Sequence, residues 1–228
     1  RRAAEQLVAE GRVKINDELV TLPQTLVEQG DRVFVDDKIV DLKEEHLYYL
    51  LNKPPGYIST ASDTHNRPTV IDLLKTVKRR VYPVGRLDAD TTGVLLLTDD
   101  GELAYRLTHP RYKVEKVYRA WVKGIPEPEK LKVLRGGLTV EGEKMSALKV
   151  RMLKTELNKN NALLEITLIE GKKRQVKKMC AAIGHPVSSL ARESFAGLKA
   201  DKLAIGSFRR LQPGEIRDLY RLTGLKQG

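Results

Sequence analysis

Apolar and polar residues alternate with the period of strands along most of this chain, and only a few stretches carry the repeat of a helix. In residues 1–10, Ala3, Ala4, Leu7 and Val8 share a helical stripe that Gly11 ends. RVKIN and LVT, around the turn residues Asp17 and Glu18, predict a short hairpin. DRVFVDD and KIVD, after Gly30, predict a second, with Val33 and Val35 alternating. From His46 the texture changes: HLYYLL is an apolar strand that Pro54 and Pro55 stop. Further on, the pattern predicts a short helix over 69–74, a buried strand at VLLL (94–97) and a helix in ELAYRLTHP halted by Pro110. VEKVYRAWVKG reads as a strand with Tyr118 on one face and Trp121 on the other, and 127–135 as a helix. LKVRML and ALLEITLIE flank the hairpin loop NKNN; GKKRQVKKMCAAIGHP is a helix with Val176, Met179, Cys180 and Ile183 on its apolar side; AIGSFRRL and EIRDL read as closing strands. Strands outnumber helices and many are joined by short turns, which predicts an α+β fold with a mixed, largely antiparallel sheet. The break at His46 divides the chain into a small unit, 1–45, and a larger one, 46–228.

Charge changes the picture. The chain of 228 residues carries a formal net charge of +11. Through Glu45 there are seven Lys or Arg against eleven Asp or Glu, a net −4, so the larger unit carries +15. A polyanion is therefore expected there, with the small unit adding shape or a local contact. The small unit is too short to be very stable alone, and because the chain opens on Arg1 already inside a helical pattern, a segment upstream is expected. Cys180 is the only cysteine, which excludes an internal disulfide and a thiolate-rich metal site and fits a reducing cytoplasm. No apolar run is long enough to span a bilayer.

Two places could carry chemistry. In YPVGRLDADTTGVLLLTDDG (82–101), polar Arg86, Asp88, Asp90, Thr91 and Thr92 stand at the mouth of an apolar strand, where backbone is fixed and side chains are free. Asp88 and Asp90, two apart, could hold Mg²⁺ or supply a nucleophilic carboxylate; equally, they could form an Asx turn or a helix cap with Thr91 and Thr92. The second place is the cluster Lys172, Lys173, Arg174, Lys177 and Lys178, with only Glu170 near in sequence. On one helix, Lys173 with Lys177 and Arg174 with Lys178 would share faces, suited either to solvent or to phosphates. Tyr118 and Trp121 could stack on bases or belong to the core. His46, His65, His109 and His185 lack metal-ligand spacing, and no glycine pattern forms a phosphate loop.

GRLDADTTGVLLLTDDGEL (85–103) resembles the signature of bacterial ribosomal RNA pseudouridine synthases. KPPGYIST (53–60), KVYRAWVKG (116–124) and EGKKRQVKKM (170–179) resemble that family's first strand and turn, its tyrosine motif and its basic motif. The small unit resembles an S4-type RNA-binding domain lacking its first helix. The resemblance implies a pseudouridine-synthase-like α+β domain that isomerises one uridine of ribosomal RNA, with 23S expected ahead of 16S. It implies Asp88 as nucleophile, Tyr118 packed on the target base and Lys177 paired with Asp88, with Asp90 as local scaffold. Arg86, Lys53, Arg79, Arg80, Lys172, Lys173, Arg174 and Lys178 are the expected RNA contacts. Neither metal nor organic cofactor is expected, nor membrane or obligate protein partner, and a monomer suffices. Two rivals have different needs: a non-catalytic rRNA-binding or assembly protein has no use for Asp88, and a Mg²⁺-dependent phosphotransfer or hydrolytic enzyme would use Asp88 with Asp90.

Overall fold

The computed structural model describes residues 2–28, 30–40 and 45–225. The chain divides into two units, Arg1–Glu45 and His46–Gly228. In the first, helix α1 (Arg2–Ala9) precedes strands β1 (Val13–Ile15), β2 (Glu18–Leu19), β3 (Val33–Val35) and β4 (Lys38–Val40), which form an antiparallel sheet in the order β2-β1-β3-β4. The first hairpin turns on Asn16 and Asp17, one residue earlier than the pattern suggested. Both have positive φ (49° and 74°), as do Asp36 and Asp37 (50° and 59°), a geometry that matches strand twist and that Asn and Asp tolerate. No residue of α1 is buried, whereas Leu22, Leu26 and Ile39 are exposed, so this unit has a thin core. Arg1 and Asp41, which the sequence patterns included, lie outside the described residues.

The second unit is built on β5 (Tyr48–Lys53), β6 (Tyr82–Pro83), β7 (Thr92–Thr98), α2 (Gly101–Thr108), β8 (Lys116–Lys123), α3 (Pro128–Gly136), β9 (Leu138–Val140), β10 (Glu143–Met145), β11 (Lys149–Glu156), β12 (Asn161–Leu168), α4 (Gln175–Ala182), β13 (Val187–Phe195), β14 (Leu198–Lys199), β15 (Phe208–Arg210) and α5 (Pro213–Thr223). The main sheet runs β11-β12-β8-β13-β7-β5-β15, with β6 on β7 and β14 on β13. Only the β13–β7 pairing is parallel, so the sheet is mixed.

Strand β7 explains its own apolar run, because both of its faces are covered. Leu95 and Leu97 pack in one core with Val176, Met179 and Cys180 of α4; Val94 and Leu96 pack in another with Leu103 and Leu107 of α2 and Leu219 of α5. Asp100 caps α2 by accepting the Leu103 N–H at 2.9 Å and also accepts the hydroxyls of Tyr48 (2.8 Å) and Tyr220 (2.6 Å), which joins β5, α2 and α5.

EIRDL is helical rather than a strand. Pro213 stands at the first turn, Glu215 bonds back to the Gln212 N–H at 2.8 Å, and the apolar side chains that follow pack at helical spacing, with Leu219 buried. Five residues read alone fit either period; the start signals just upstream settle it.

Candidate active site

The loop 85–91 leaves the short strand β6 and turns back into β7, and three ties fix its path. The Ser59 hydroxyl donates to the Leu87 carbonyl (3.0 Å) and accepts the Leu87 N–H (3.1 Å). The Gly56 N–H donates to the Ala89 carbonyl at 2.8 Å, and the Thr91 N–H to that of Asp88 at 3.0 Å. Lys53, at the end of β5 and opposite Gly93 in register, sends its ammonium group under the loop. There it donates to the carbonyls of Thr91 (2.9 Å), Pro54 (3.0 Å) and Ala89 (3.1 Å). Lys53 is 0% exposed, so the expectation of an RNA contact is corrected: its fixed length is spent anchoring the loop from inside. Burial pushes its pKa down to about 8, with Asp90 and Asp88 pulling upward and Lys177 adding to the depression.

Above this anchor, Asp88 and Asp90 converge on one cation. The Lys177 ammonium lies 2.5 Å from Asp90 Oδ1 and 3.5 Å from Asp88 Oδ2. The resemblance implied a pair with Asp88 and a scaffold role for Asp90; the closer partner is Asp90, whose carboxyl the Lys177 hydrogen bond holds below the usual range. An ammonium group between the two carboxylates also occupies the position a Mg²⁺ ion would need in the Asp-x-Asp reading. Among the described residues no group of three or more His, Cys, Asp or Glu converges in a way that could hold a metal.

Asp88 opens onto a pocket of about 80 Å³ that Arg86, Leu87, Thr91, Tyr118, Leu168, Gly171, Lys172, Arg174, Gln175, Val176 and Leu190 also line. Strand β8 alternates buried and more exposed residues, which turns Tyr118 (9% exposed) inward toward α4 and Trp121 to the other face. The pocket therefore offers a carboxylate, a phenol ring, apolar walls and a cationic rim. The Thr91 hydroxyl, read from sequence as a capping group, is buried without a hydrogen-bond partner.

The basic cluster is split by the start of its helix. Because α4 begins at Gln175, Lys172, Lys173 and Arg174 lie in the approach to it, so the expected Lys173–Lys177 helical pair does not form, whereas Arg174 stays tied to Lys178, its carbonyl accepting the Lys178 N–H at 3.0 Å. Arg174 adopts a left-handed φ of 56° at the helix start, which turns the chain so that Lys172 and Arg174 line the pocket. Gln175 fixes this turn: it accepts the Lys172 N–H (3.1 Å) and donates to Glu170 (2.6 Å) and the Ser146 carbonyl (3.2 Å). Lys172 also donates to the Lys144 carbonyl. Lys173 is exposed outside the pocket, and Lys178 pairs with Glu141 at 2.5 Å. Arg79 and Arg80 line a separate hollow with Leu74 and Val77, and Arg79 pairs with Asp99 at 2.6 Å.

Sequence reasoning passed over Arg192 and weighed Gly93 only as a phosphate-loop glycine. The two are register partners between β7 and β13, and Arg192 is in turn opposite Tyr118 on β8. A Cβ on Gly93 would stand 2.2 Å from the Arg192 carbonyl oxygen, so only glycine lets the strands approach here. Arg192 is 3% exposed and donates to the Val94 carbonyl at 2.7 Å; burial lowers its pKa, with the Tyr118 phenol pulling the other way. Only strand pairing brings these residues together, and no local pattern signals it.

A carboxylate beside a tyrosine ring, with cations around the pocket, is the kind of arrangement that suits an enzyme acting on a polyanion. The RNA pseudouridylate synthase family matches residues 47–182, and the S4 domain matches residues 1–33. The ribosomal large subunit pseudouridine synthase B of Bacillus subtilis is 43% identical over 223 residues, 98% of this chain and 91% of the relative. The ribosomal small subunit pseudouridine synthase A of Haemophilus influenzae is 31% identical over 224 residues, 97% and 94% of the two chains. A crystal structure of a pseudouridylate synthase superposes with a TM-score of 0.66 at 31% identity, covering 96% of this chain and 93% of that one. The chain belongs to the RNA pseudouridylate synthase family and carries an S4 domain; it is an RNA pseudouridine synthase.

Proposed function

We propose that the protein isomerises one uridine of ribosomal RNA to pseudouridine with Asp88 as the reacting carboxylate. The observation that carries this is the Asp88 carboxylate at the pocket that Tyr118 lines, with Lys177 at 3.5 Å. In this reading Asp88 adds to C1′ or removes the C2′ proton, and either route breaks the N1–C1′ bond. Tyr118 holds the freed uracil while it turns; C5 then bonds to C1′ as the Asp88–C1′ bond breaks, or as C2′ regains its proton, and the proton lost from C5 is matched by one gained at N1, so the product has the composition of the substrate. A fixed base needs no recapture from solvent, which is where a closed pocket accelerates the return step. Lys177 supplies the counter-charge that a carboxylate needs in a partly dry site.

The target must leave its stack, at a few kcal/mol that pocket contacts and phosphate neutralisation offset. Arg86, Lys172 and Arg174 at the rim are the proposed first phosphate contacts. Lys173, Arg80 and the acid-paired Lys178 and Arg79 lie farther along the same proposed path. We place the target in 23S rather than 16S RNA, because the relative with 43% identity is named for the large subunit and the one with 31% for the small. The setting we propose is the cytoplasm, with a monomer acting alone; among the described residues no helix is long and apolar enough to cross a membrane.

The test is Asp88→Asn, nearly isosteric and without nucleophilic oxygen charge. Its turnover of rRNA from a strain lacking the enzyme is expected to fall by about 10⁴-fold or more, near 5.5 kcal/mol in barrier, while RNA affinity stays within about threefold. Normal turnover by this variant would refute the assignment.

A further inference from the structure

A group of rings that the proposed chemistry leaves unused stands at the C-terminal end of α2. Tyr105 is 45% exposed and is the one aromatic among the large apolar side chains that the described residues leave exposed. Its ring centroid lies 5.1 Å from that of His109 and 6.4 Å from that of Tyr112. The arrangement is built locally: His109 Nδ1 accepts the Arg111 N–H at 3.3 Å, and the tight turn Pro110–Tyr112 folds Tyr112 back beside Tyr105. The Arg111 guanidinium stands 4.6 Å from the Tyr112 ring centroid and 5.9 Å from that of Tyr105.

The charge around the rings is unbalanced. Glu102 is taken by Arg106 at 2.7 Å, and Arg106 also bonds the Thr223 carbonyl. Among the described residues neither Arg111 nor Lys113 has a carboxylate in ion-pair reach. The cluster also adjoins the loop that bears Asp88: a Cβ on Gly85 would meet Thr108 Cγ2 at 3.5 Å. His109 follows Thr108, and Arg86, which lines the pocket, follows Gly85.

We propose that Tyr105, His109 and Arg111 form a stacking subsite for an unpaired base flanking the target uridine, with Arg111 and Lys113 on its phosphates. Drawing one nucleotide out of a helix unstacks its neighbours. Exposed rings beside cations that no carboxylate among the described residues pairs, one of them Arg111 bonded to the Tyr112 hydroxyl, are a surface that recovers such a base without reading its identity. What sets this face apart is the combination: an exposed tyrosine held by a second tyrosine, a histidine and an arginine, beside two cations that no carboxylate among the described residues pairs. The inference rests on the function proposed above, since it takes the pocket as the place of the target.

The test compares full-length Asp88→Asn protein, inactive if the function proposed above holds, with the same protein carrying also Tyr105→Ala or Tyr105→Phe. Two probes are used, a fluorescein-labelled decamer of uridine and a labelled RNA duplex of roughly twelve base pairs, read by anisotropy. Tyr105→Ala is expected to weaken the single strand by about tenfold, Tyr105→Phe by less than about twofold, and neither to change duplex affinity. Unchanged single-strand affinity, or an equal loss on both probes, overturns the subsite. If Asp88→Asn by itself still isomerises rRNA, the proposed function falls while this binding comparison still decides the subsite; if only Tyr105→Ala binds normally, the function stands and the subsite falls.

Discussion

Replacing Lys53 with methionine tests how the Asp88 loop is held, because it removes the charge and donors while keeping the side-chain length. Two terms oppose each other. Removing the ammonium group orphans the carbonyls of Pro54 and Thr91, while that of Ala89 keeps its bond from Gly56. At about 1–3 kcal/mol for each orphaned group, this term destabilises by about 2–6 kcal/mol. Against it, the variant no longer buries a charge. A pKa lowered from 10.5 to about 8 corresponds to about 3 kcal/mol at roughly 1.4 kcal/mol per pH unit. At pH 7 the two terms nearly cancel, and the net loss is expected to be about 1 kcal/mol.

The pH dependence separates them. Lys53 binds its proton less tightly in the folded protein than in the unfolded chain, so between about pH 8 and 10.5 the unfolded state holds more protons and stability from this group rises with pH. Below about pH 8 the lysine is charged in both states and that gain is absent. The stability gap between wild type and Lys53→Met should therefore widen in favour of wild type by up to about 3 kcal/mol between pH 7 and 10.5. Groups common to both proteins cancel in the difference. Urea unfolding followed by the fluorescence of Trp121, the only tryptophan and a residue of β8, reads the larger unit at each pH. A gap that stays constant across this range would refute a buried, perturbed lysine under the loop.

Two further substitutions test the frame. Gly93→Ala puts a Cβ against the Arg192 backbone at φ 102°, where no flexible side chain can yield; a loss of about 3 kcal/mol or more in urea unfolding is expected, and a loss under about 1 kcal/mol would contradict the close β7–β13 approach. Asp100→Ala removes the α2 cap and the shared acceptor of two phenols, which keep only their bond to each other at 3.0 Å; calorimetry should show about 2–4 kcal/mol less stability, with Asp100→Asn losing less.

What the sequence made legible follows the range of the forces involved. The apolar run of β7, the alternation of β8 and the prolines ending β5 are local patterns, and each produced the element it predicted. Asp88 and Tyr118 were found through motifs, and the fold lines both into one pocket. EIRDL failed because five residues cannot separate a strand from a helix, and Lys173 failed as a helical residue because Arg174 takes a left-handed turn that its own side chain does not announce. Lys53 failed for another reason: a lysine after a strand reads as a surface charge, and only the closure of loop 85–91 over it makes it internal.

The same distinction limits how the charge of the larger unit should be understood. Its +15 suggests a broad field for RNA, yet Lys53, Lys116 and Arg192 are respectively 0%, 7% and 3% exposed and can release no counterions to a phosphate. Lys116, which donates to the Val114 carbonyl and lies near the Phe195 ring, has its pKa pushed down to about 8 by burial, with Arg192 adding to the effect. Lys178 and Arg79 face Glu141 and Asp99, so on the proposed RNA path each cation has a carboxylate to exchange before it meets a phosphate. Glu141 is exposed, so exchanging it for a phosphate costs little; Asp99 is largely buried and also accepts the Leu47 N–H, so Arg79 is held more firmly. The buried cations do different work. Lys53 holds the loop carbonyls and Arg192 the strand opposite Tyr118, so a part of the positive charge fixes the positions of the carboxylate and the ring before any polyanion arrives. Positive charge in this chain is therefore divided between groups that shape the pocket from within and groups such as Arg86 and Arg174 that line its rim, where the proposed function puts the RNA.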